Sequence, residues 1–164
     1  MKKIAIIGAG IAGVTSAYQC SRKNYDVTLF DKSRGVSGRS TSKRWDQTTG
    51  IAIDMGVPYI HEGELSKNIS VYEKLMDEKV LTEWNLYQNK DNEINTMKTY
   101  IGYPKMNSIA RFLGEEIRIE SQAKINKIKY TNKWEIYTDE KSWSDYDILI
   151  LAIPAAQYDL ISGI

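Results

Sequence analysis

The spacing of apolar positions changes along the chain, and each change marks an element. Lys2 to Ile7 is a short β-branched run ended by glycine, the pattern of a buried strand. Ile11 to about Lys23 places Ile11, Val14, Tyr18 and small residues on one face, the period of a helix. Asn24-Tyr25-Asp26 turns the chain, and Val27 to Phe30 is a second buried strand ending at Asp31. Strand, helix and strand within about 30 residues is the size of a parallel crossover.

Lys32 to Gly50 is polar, rich in Ser, Thr, Gly and Arg, and reads as a loop. Ile51 to Met55 predicts a short strand. Ser66 to about Val80 predicts an amphipathic helix with Ile69, Tyr72, Leu75, Met76 and Val80 on one side. Residues 81–103 read as short strands with polar turns, part of a substrate-side cap, and Met106 to Leu113 as a short helix. The period then becomes two. Ile117 to Ile119, Ala123 to Tyr130 and Lys133 to Thr138 alternate, with turns at Thr131-Asn132 and Asp139-Glu140, which predicts an antiparallel meander. Asp147 to Ile153 is a continuous apolar run, expected to be a strand buried on both faces and ended by Pro154.

Composition narrows the possibilities without choosing among enzymes. The chain has 164 residues, 42% hydrophobic and 26% charged, enough for one well-filled core and not for two large ones. Its net charge is +1, with both signs interspersed, so no clustered basic face argues for nucleic acid. One cysteine, Cys20, makes no disulfide framework and no metal spacing, and a reducing cytoplasm is the simplest compartment. Met1-Lys2-Lys3 followed by Ile4 to Ala17 has the outline of a signal peptide, but three spaced glycines and a following strand favour the crossover. No segment approaches the ~20 apolar residues of a membrane span. His61, beside Glu62-Gly63-Glu64, reads as a solvated loop residue, Cys20 as a small packing residue, and Trp45, Trp84, Trp134 and Trp143 as core or rim.

The chemistry is concentrated near the N-terminus. Gly8-Ala9-Gly10-Ile11-Ala12-Gly13 fits G-x-G-x-x-G between a strand and a helix, and Asp31 closes the next strand. Gly8 allows the tight turn, Gly10 leaves room for a pyrophosphate against the backbone, and Gly13 lets helix and sheet approach. The N–H groups around Ile11 and Ala12, with the helix dipole behind them, favour a doubly negative group. Asp31 can accept hydrogen bonds from ribose hydroxyls. These features fit FAD and NAD alike.

The next segment separates them. Asp31-Lys32-Ser33-Arg34-Gly35-Val36-Ser37-Gly38-Arg39 resembles the second flavin fingerprint of the amine-oxidase superfamily, K-x-x-G-x-G-G-R. Its cations, Lys32, Arg34 and above all Arg39, and its flexible Gly38 would wrap a pyrophosphate. The resemblance is to the renalase-like branch of that superfamily and extends along the chain. Asp54-Met55-Gly56-Val57-Pro58-Tyr59 stands where that branch has D-x-G-A-Q-Y near the flavin, which carries over Gly56, Val57 and Tyr59. Glu83-Trp84, Tyr100 to Met106 and Asp147 to Gln157 follow its E-W, Y-V-G-x-P-G-M and D-x-V-V-L-A-I-P-x-x-Q. Ile125 falls on its V-x-x-I strand, whose backbone meets adenine.

The fold class this implies is α/β: a Rossmann-like FAD/NAD(P)-binding domain with a parallel sheet and β-meander over residues 1–55 and 107–164, and a partial cap inserted at 56–106. The implied cofactor is FAD, with an amine or NAD(P)H as hydride donor and dioxygen as reoxidant. No catalytic residue and no metal ligand is assigned. Four departures stand out. Ser37 replaces the first glycine of the pair, Met55 and Pro58 replace polar residues, Lys105 replaces a glycine, and members of that branch are about twice as long. Three functions therefore stay open: an oxidoreductase completed by a complementing C-terminal subunit or a homo-oligomer, a non-catalytic dinucleotide binder, and an interaction protein that keeps only the fold. The strand Asp147–Ile153 is expected to need cover that this length of chain offers on one face only.

Overall fold

The computed structural model describes residues 1–45, 48–65, 69–90 and 93–163. These form two compact units, residues 1–38 with 113–164, and residues 39–112.

The first unit is built on a four-stranded parallel sheet. Its strands are β1 (Lys3–Ile7), β2 (Asp26–Phe30), β10 (Arg118–Glu120) and β14 (Ile148–Leu151), in the order β10-β2-β1-β14. β1 and β2 run Ile4 beside Val27 to Ile7 beside Phe30, joined by helix α1 (Ile11–Ser21). The helix stops before Lys23, capped by Arg22, whose N–H donates to the Tyr18 carbonyl at 3.1 Å. Alternation divides the sheet residues between two faces. Ala5, Ile7 and Phe30 form one core with Ala123, Ile128, Ile136, Tyr146 and Ile161. Phe30 meets Trp143 and Tyr146 edge-on, with centroids 5.0 and 6.0 Å apart. The partly exposed Trp134 lies against the same core. On α1, Val14 and Ala17 are fully buried.

The meander forms, with different members from those expected. It is β11 (Lys127–Tyr130), β12 (Trp134–Tyr137) and β13 (Ser142–Tyr146). Ile117–Ile119 does not join it. That segment becomes β10 and pairs in parallel with β2, Ile119 beside Leu29, because a three-residue alternation cannot reveal which neighbour it pairs with. β14 pairs with β1 alone among the described residues, Ile4 beside Ile148 to Ile7 beside Leu151. It is an edge strand with Ile148 exposed and its other residues half-buried, so burial on both faces is not what the structure has.

The second unit is made of short pieces. The expected loop 32–50 contains a 3-10 turn at Gly38–Ser40 and strand β3 (Ser42–Arg44), which pairs with β4 (Ala52–Asp54). Strands β5 (Ile60–His61), β9 (Thr99–Gly102) and β6 (Leu81–Glu83) form a sheet, and β7 (Leu86–Lys90) pairs with β8 (Glu93–Met97). The helix expected over 66–80 is shorter. A turn, α2 (Glu62–Leu65), precedes α3 (Ile69–Asp77), and the start at Ser66 lies outside the described residues. Among the described side chains of α3, Val71 and Leu75 are buried, Tyr72 is half-buried and Met76 is exposed, so Val71 takes a place on the buried side that was expected for Met76. Helix α4 spans Ser108–Leu113. Asp54 fixes the middle of this unit. Its carboxylate accepts the Met106 N–H at 3.2 and 3.3 Å and a short bond from the Ser42 hydroxyl. His61 lies in a strand rather than a loop, is exposed, and meets Tyr59 edge-on. Of the tryptophans expected in the core or at its rim, Trp45 and Trp84 are exposed.

Candidate functional site

The turn after β1 is shaped by its glycines. Gly8 has φ +104°, a conformation side chains rarely adopt, and a Cβ on it would lie 2.6 Å from the Ala152 carbonyl oxygen. A Cβ on Gly13 would lie 1.8 Å from the Gly8 carbonyl oxygen, so only glycine lets α1 start this close to the sheet. Gly10 differs from both. Its φ is ordinary at −70°, and nothing lies within 4 Å of where its Cβ would be. Gly10 is the N-cap of α1 and supplies no side-chain bond to the first turn, which also contains no acidic residue. The first intrahelical bond runs from the Val14 N–H to the Gly10 carbonyl at 3.0 Å. The Ile11, Ala12 and Gly13 amides thus precede the helical ladder, and Ile11 and Ala12 are exposed. Open space in front of uncapped amides, at the positive end of an 11-residue helix, suits an anion.

Asp31 is bound to this turn. One carboxylate oxygen accepts the Ala9 N–H at 2.6 Å and the other accepts the Ser33 N–H at 2.7 Å. The sequence offered Asp31 as a ribose acceptor and did not reveal that it also ties β2 to the glycine turn. Each oxygen keeps a lone pair for a further donor.

The segment after Asp31 folds back on the turn. Gln122 and Ala123 donate to the carbonyls of Ser33 and Asp31 at 3.0 and 2.8 Å, which brings the 122–125 segment alongside. Ile125 is buried in the core, and its backbone makes no hydrogen bond among the described residues. Lys32 reaches Gln157 at 3.2 Å. Arg34 is exposed and forms no ion pair among the described residues. Ser37 donates its N–H to the Ala9 carbonyl at 2.8 Å and bridges to Gly10. Gly38 has φ +54°, and a Cβ on it would stand 3.1 Å from the Gly10 Cα. Of the expected residues in the first unit, Gly8, Gly10, Ile11, Ala12, Gly13, Asp31 and Gly38 lie at the turn, whereas Lys32 is held by Gln157, Arg34 is exposed and Ile125 lies in the core.

Arg39, Gly56, Val57 and Tyr59 are positioned within the second unit. A Cβ on Gly56 would lie 1.7 Å from the Arg39 carbonyl oxygen, which also accepts the Val57 N–H at 3.0 Å. Gly56 is therefore fixed by close backbone approach, and Arg39 keeps an exposed side chain with no ion-pair partner among the described residues. Pro58 offers no N–H. Among the described residues no group of three or more His, Cys, Asp or Glu could hold a metal ion, and no helix is long and apolar enough to cross a membrane.

Comparison with known proteins gives a family match and likenesses of fold. Residues 6–75 match the family described as NAD(P)-binding Rossmann-like domain. A 4,4'-diapophytoene desaturase (4,4'-diaponeurosporene-forming) of Staphylococcus haemolyticus (strain JCSC1435) is 29% identical over 98 residues, 56% of this chain and 19% of the relative. The enzyme of the same name from Staphylococcus aureus (strain Newman) is 33% identical over 67 residues, 41% of this chain and 13% of the relative. The chain thus spans less than a fifth of the length of these curated relatives. A putrescine oxidase bound to putrescine superposes with TM-score 0.74 at 12% identity, over 98% of this chain and 60% of that one. A putative protoporphyrinogen oxidase from Exiguobacterium sp. 255-15 superposes with TM-score 0.71 at 11% identity, over 95% of this chain and 60% of that one. At such identities the likeness is one of fold, and the fold is the Rossmann-like one shared by these oxidases.

Proposed function

We propose that this chain, whose residues 6–75 match the NAD(P)-binding Rossmann-like domain, holds the ADP half of FAD in an oxidoreductase of the renalase or amine-oxidase type. The observation that carries the proposal is the N-cap at Gly10: no side chain caps α1, the exposed Ile11 and Ala12 precede its hydrogen-bond ladder, and nothing lies within 4 Å of where a Gly10 Cβ would be. A diphosphate there meets amide donors and the helix dipole, with no side chain in the way. Gly8 and Gly13 hold the shape of the cradle. Asp31 accepts from the adjoining ribose, and the unpaired Ile125 backbone meets the adenine edge. Lys32 and Arg34 supply counter-charge on the loop that Gly38 lets lie against the turn, and the resemblance assigns Arg39 the same role. Gly56, Val57 and Tyr59 are the flavin-side residues of the same reading.

When bound, FAD would accept a hydride from an amine or a reduced nicotinamide and return electrons to dioxygen. The residues of this chain bind and orient, and no general acid or base is assigned to them. Placement in the cytoplasm belongs to the same proposal.

The test is a titration of the purified chain with FAD, followed by absorbance near about 450 nm. The proposal expects FAD and ADP-ribose to bind and compete, and the bound flavin to bleach with an amine or NAD(P)H. Binding without bleaching supports a non-catalytic dinucleotide protein. Absence of FAD and ADP-ribose binding contradicts the cofactor assignment.

A further inference from the structure

We infer that Ser37 sets the dinucleotide affinity of this chain by making closure of the phosphate loop costly, an inference that rests on the site proposed above. Ser37 is 1% exposed, has φ +112°, and its hydroxyl has no hydrogen-bond partner. Yet it sits at the centre of the cradle, donating its N–H to the Ala9 carbonyl at 2.8 Å and bridging to Gly10. Its neighbour Gly38 has φ +54° and approaches the Gly10 Cα so closely that an added Cβ would stand at 3.1 Å.

Two independent features penalise this arrangement. A residue with a Cβ rarely adopts the backbone conformation of Ser37, because that atom crowds the adjacent peptide groups. The hydroxyl gives up its bonds to water and gains none in return. Both penalties vanish if residues 33–38 lift from the turn, where φ relaxes and the hydroxyl is hydrated. Both penalties favour a lifted form against the bonds that hold the closed one, the Ser37 N–H to the Ala9 carbonyl at 2.8 Å and the Gln122 N–H to the Ser33 carbonyl at 3.0 Å. A ligand gripped by the glycine turn and the loop together binds only the closed one, and its apparent affinity falls by the fraction of molecules closed. Glycine at this position would remove both penalties. Serine keeps the dinucleotide exchangeable, and this position rather than the glycine turn is where the affinity is tuned.

The experiment compares the full chain with its Ser37→Gly and Ser37→Ala variants. FAD and ADP-ribose binding are measured calorimetrically, and amide hydrogen exchange over residues 33–38 is followed without ligand. Ser37→Gly is expected to bind FAD about tenfold tighter and to slow exchange of the loop amides several-fold. Ser37→Ala, which loses the hydroxyl and keeps the Cβ, is expected to fall between. Unchanged affinity in Ser37→Gly overturns the inference while leaving the dinucleotide site intact. Weaker binding in Ser37→Ala overturns it in another way, by making the hydroxyl a ligand of the diphosphate. If neither the parent chain nor Ser37→Gly takes up FAD or ADP-ribose, the site itself fails and the inference falls with it.

Discussion

The Asp31 carboxylate accepts the Ala9 N–H at 2.6 Å, tying the end of β2 to the turn that follows β1. One acidic side chain therefore both shapes the glycine turn and stands ready for a sugar. Removing it disturbs both roles. Asp31→Ala is expected to lower stability by about 1.5–3 kcal/mol through loss of charge-assisted bonds, and to weaken ADP-ribose binding as well. Urea denaturation and calorimetry check the two effects, and an unchanged midpoint would contradict the structural role.

The three glycines of the turn should respond differently to alanine. Gly13→Ala forces a Cβ to within 1.8 Å of the Gly8 carbonyl oxygen, which only displacement of α1 could relieve. A stability loss of about 3 kcal/mol is expected. Gly10→Ala meets open space at an ordinary φ, and should cost under about 1 kcal/mol. Equal losses in thermal or urea unfolding would contradict this division.

Gly56 tests the second unit in the same way. A Cβ there would stand 1.7 Å from the Arg39 carbonyl oxygen, which also receives the Val57 N–H. Gly56→Ala is expected to destabilise the unit by about 2–3 kcal/mol. Hydrogen exchange should quicken at Val57, and protection equal to that of the parent chain would argue against the contact.

Acid stability should depend on Asp147. Its carboxylate accepts from Lys133 Nζ at 2.5 Å and from the Lys3 N–H at 2.8 Å, and these donors hold its pKa below the usual carboxylate value. The folded state thus binds this proton less readily than the unfolded chain. The stability this contributes is present above the unfolded pKa of about 3.9 and is lost as pH falls through the folded value. Urea midpoints measured down to about pH 3 should fall less steeply in Asp147→Asn than in the parent chain. Parallel slopes would rule out this linkage.

The parts legible in the sequence were those where one residue type has one physical use. Gly8 and Gly13 stand where a positive φ or close backbone approach excludes any side chain, and a β-branched run such as Lys3–Ile7 has few alternatives to a buried strand. Pairing partners were less legible. Ile119 alternates equally well in a meander or beside Leu29, and only tertiary context chooses. The run Ile148–Leu151 signalled burial by composition, whereas among the described residues it pairs with β1 alone and stays partly exposed, with Leu149 and Leu151 packed against the core that includes Ile136 and Tyr146. Ser37 stood out in the sequence because it replaces a glycine of the resembled fingerprint, but its φ of +112° and the second role of Asp31 were not legible, for another reason. A side chain's backbone partner and a φ angle belong to the folded chain, not to residue order.

The central claim is that the free space before Gly10 receives a diphosphate. Gly10→Glu tests it most directly, because the new side chain projects into that space at an ordinary φ and carries negative charge. The variant should fold with circular dichroism like that of the parent chain and bind FAD at least about a hundredfold more weakly. A folded Gly10→Glu that takes up FAD as tightly as the parent chain would contradict the account.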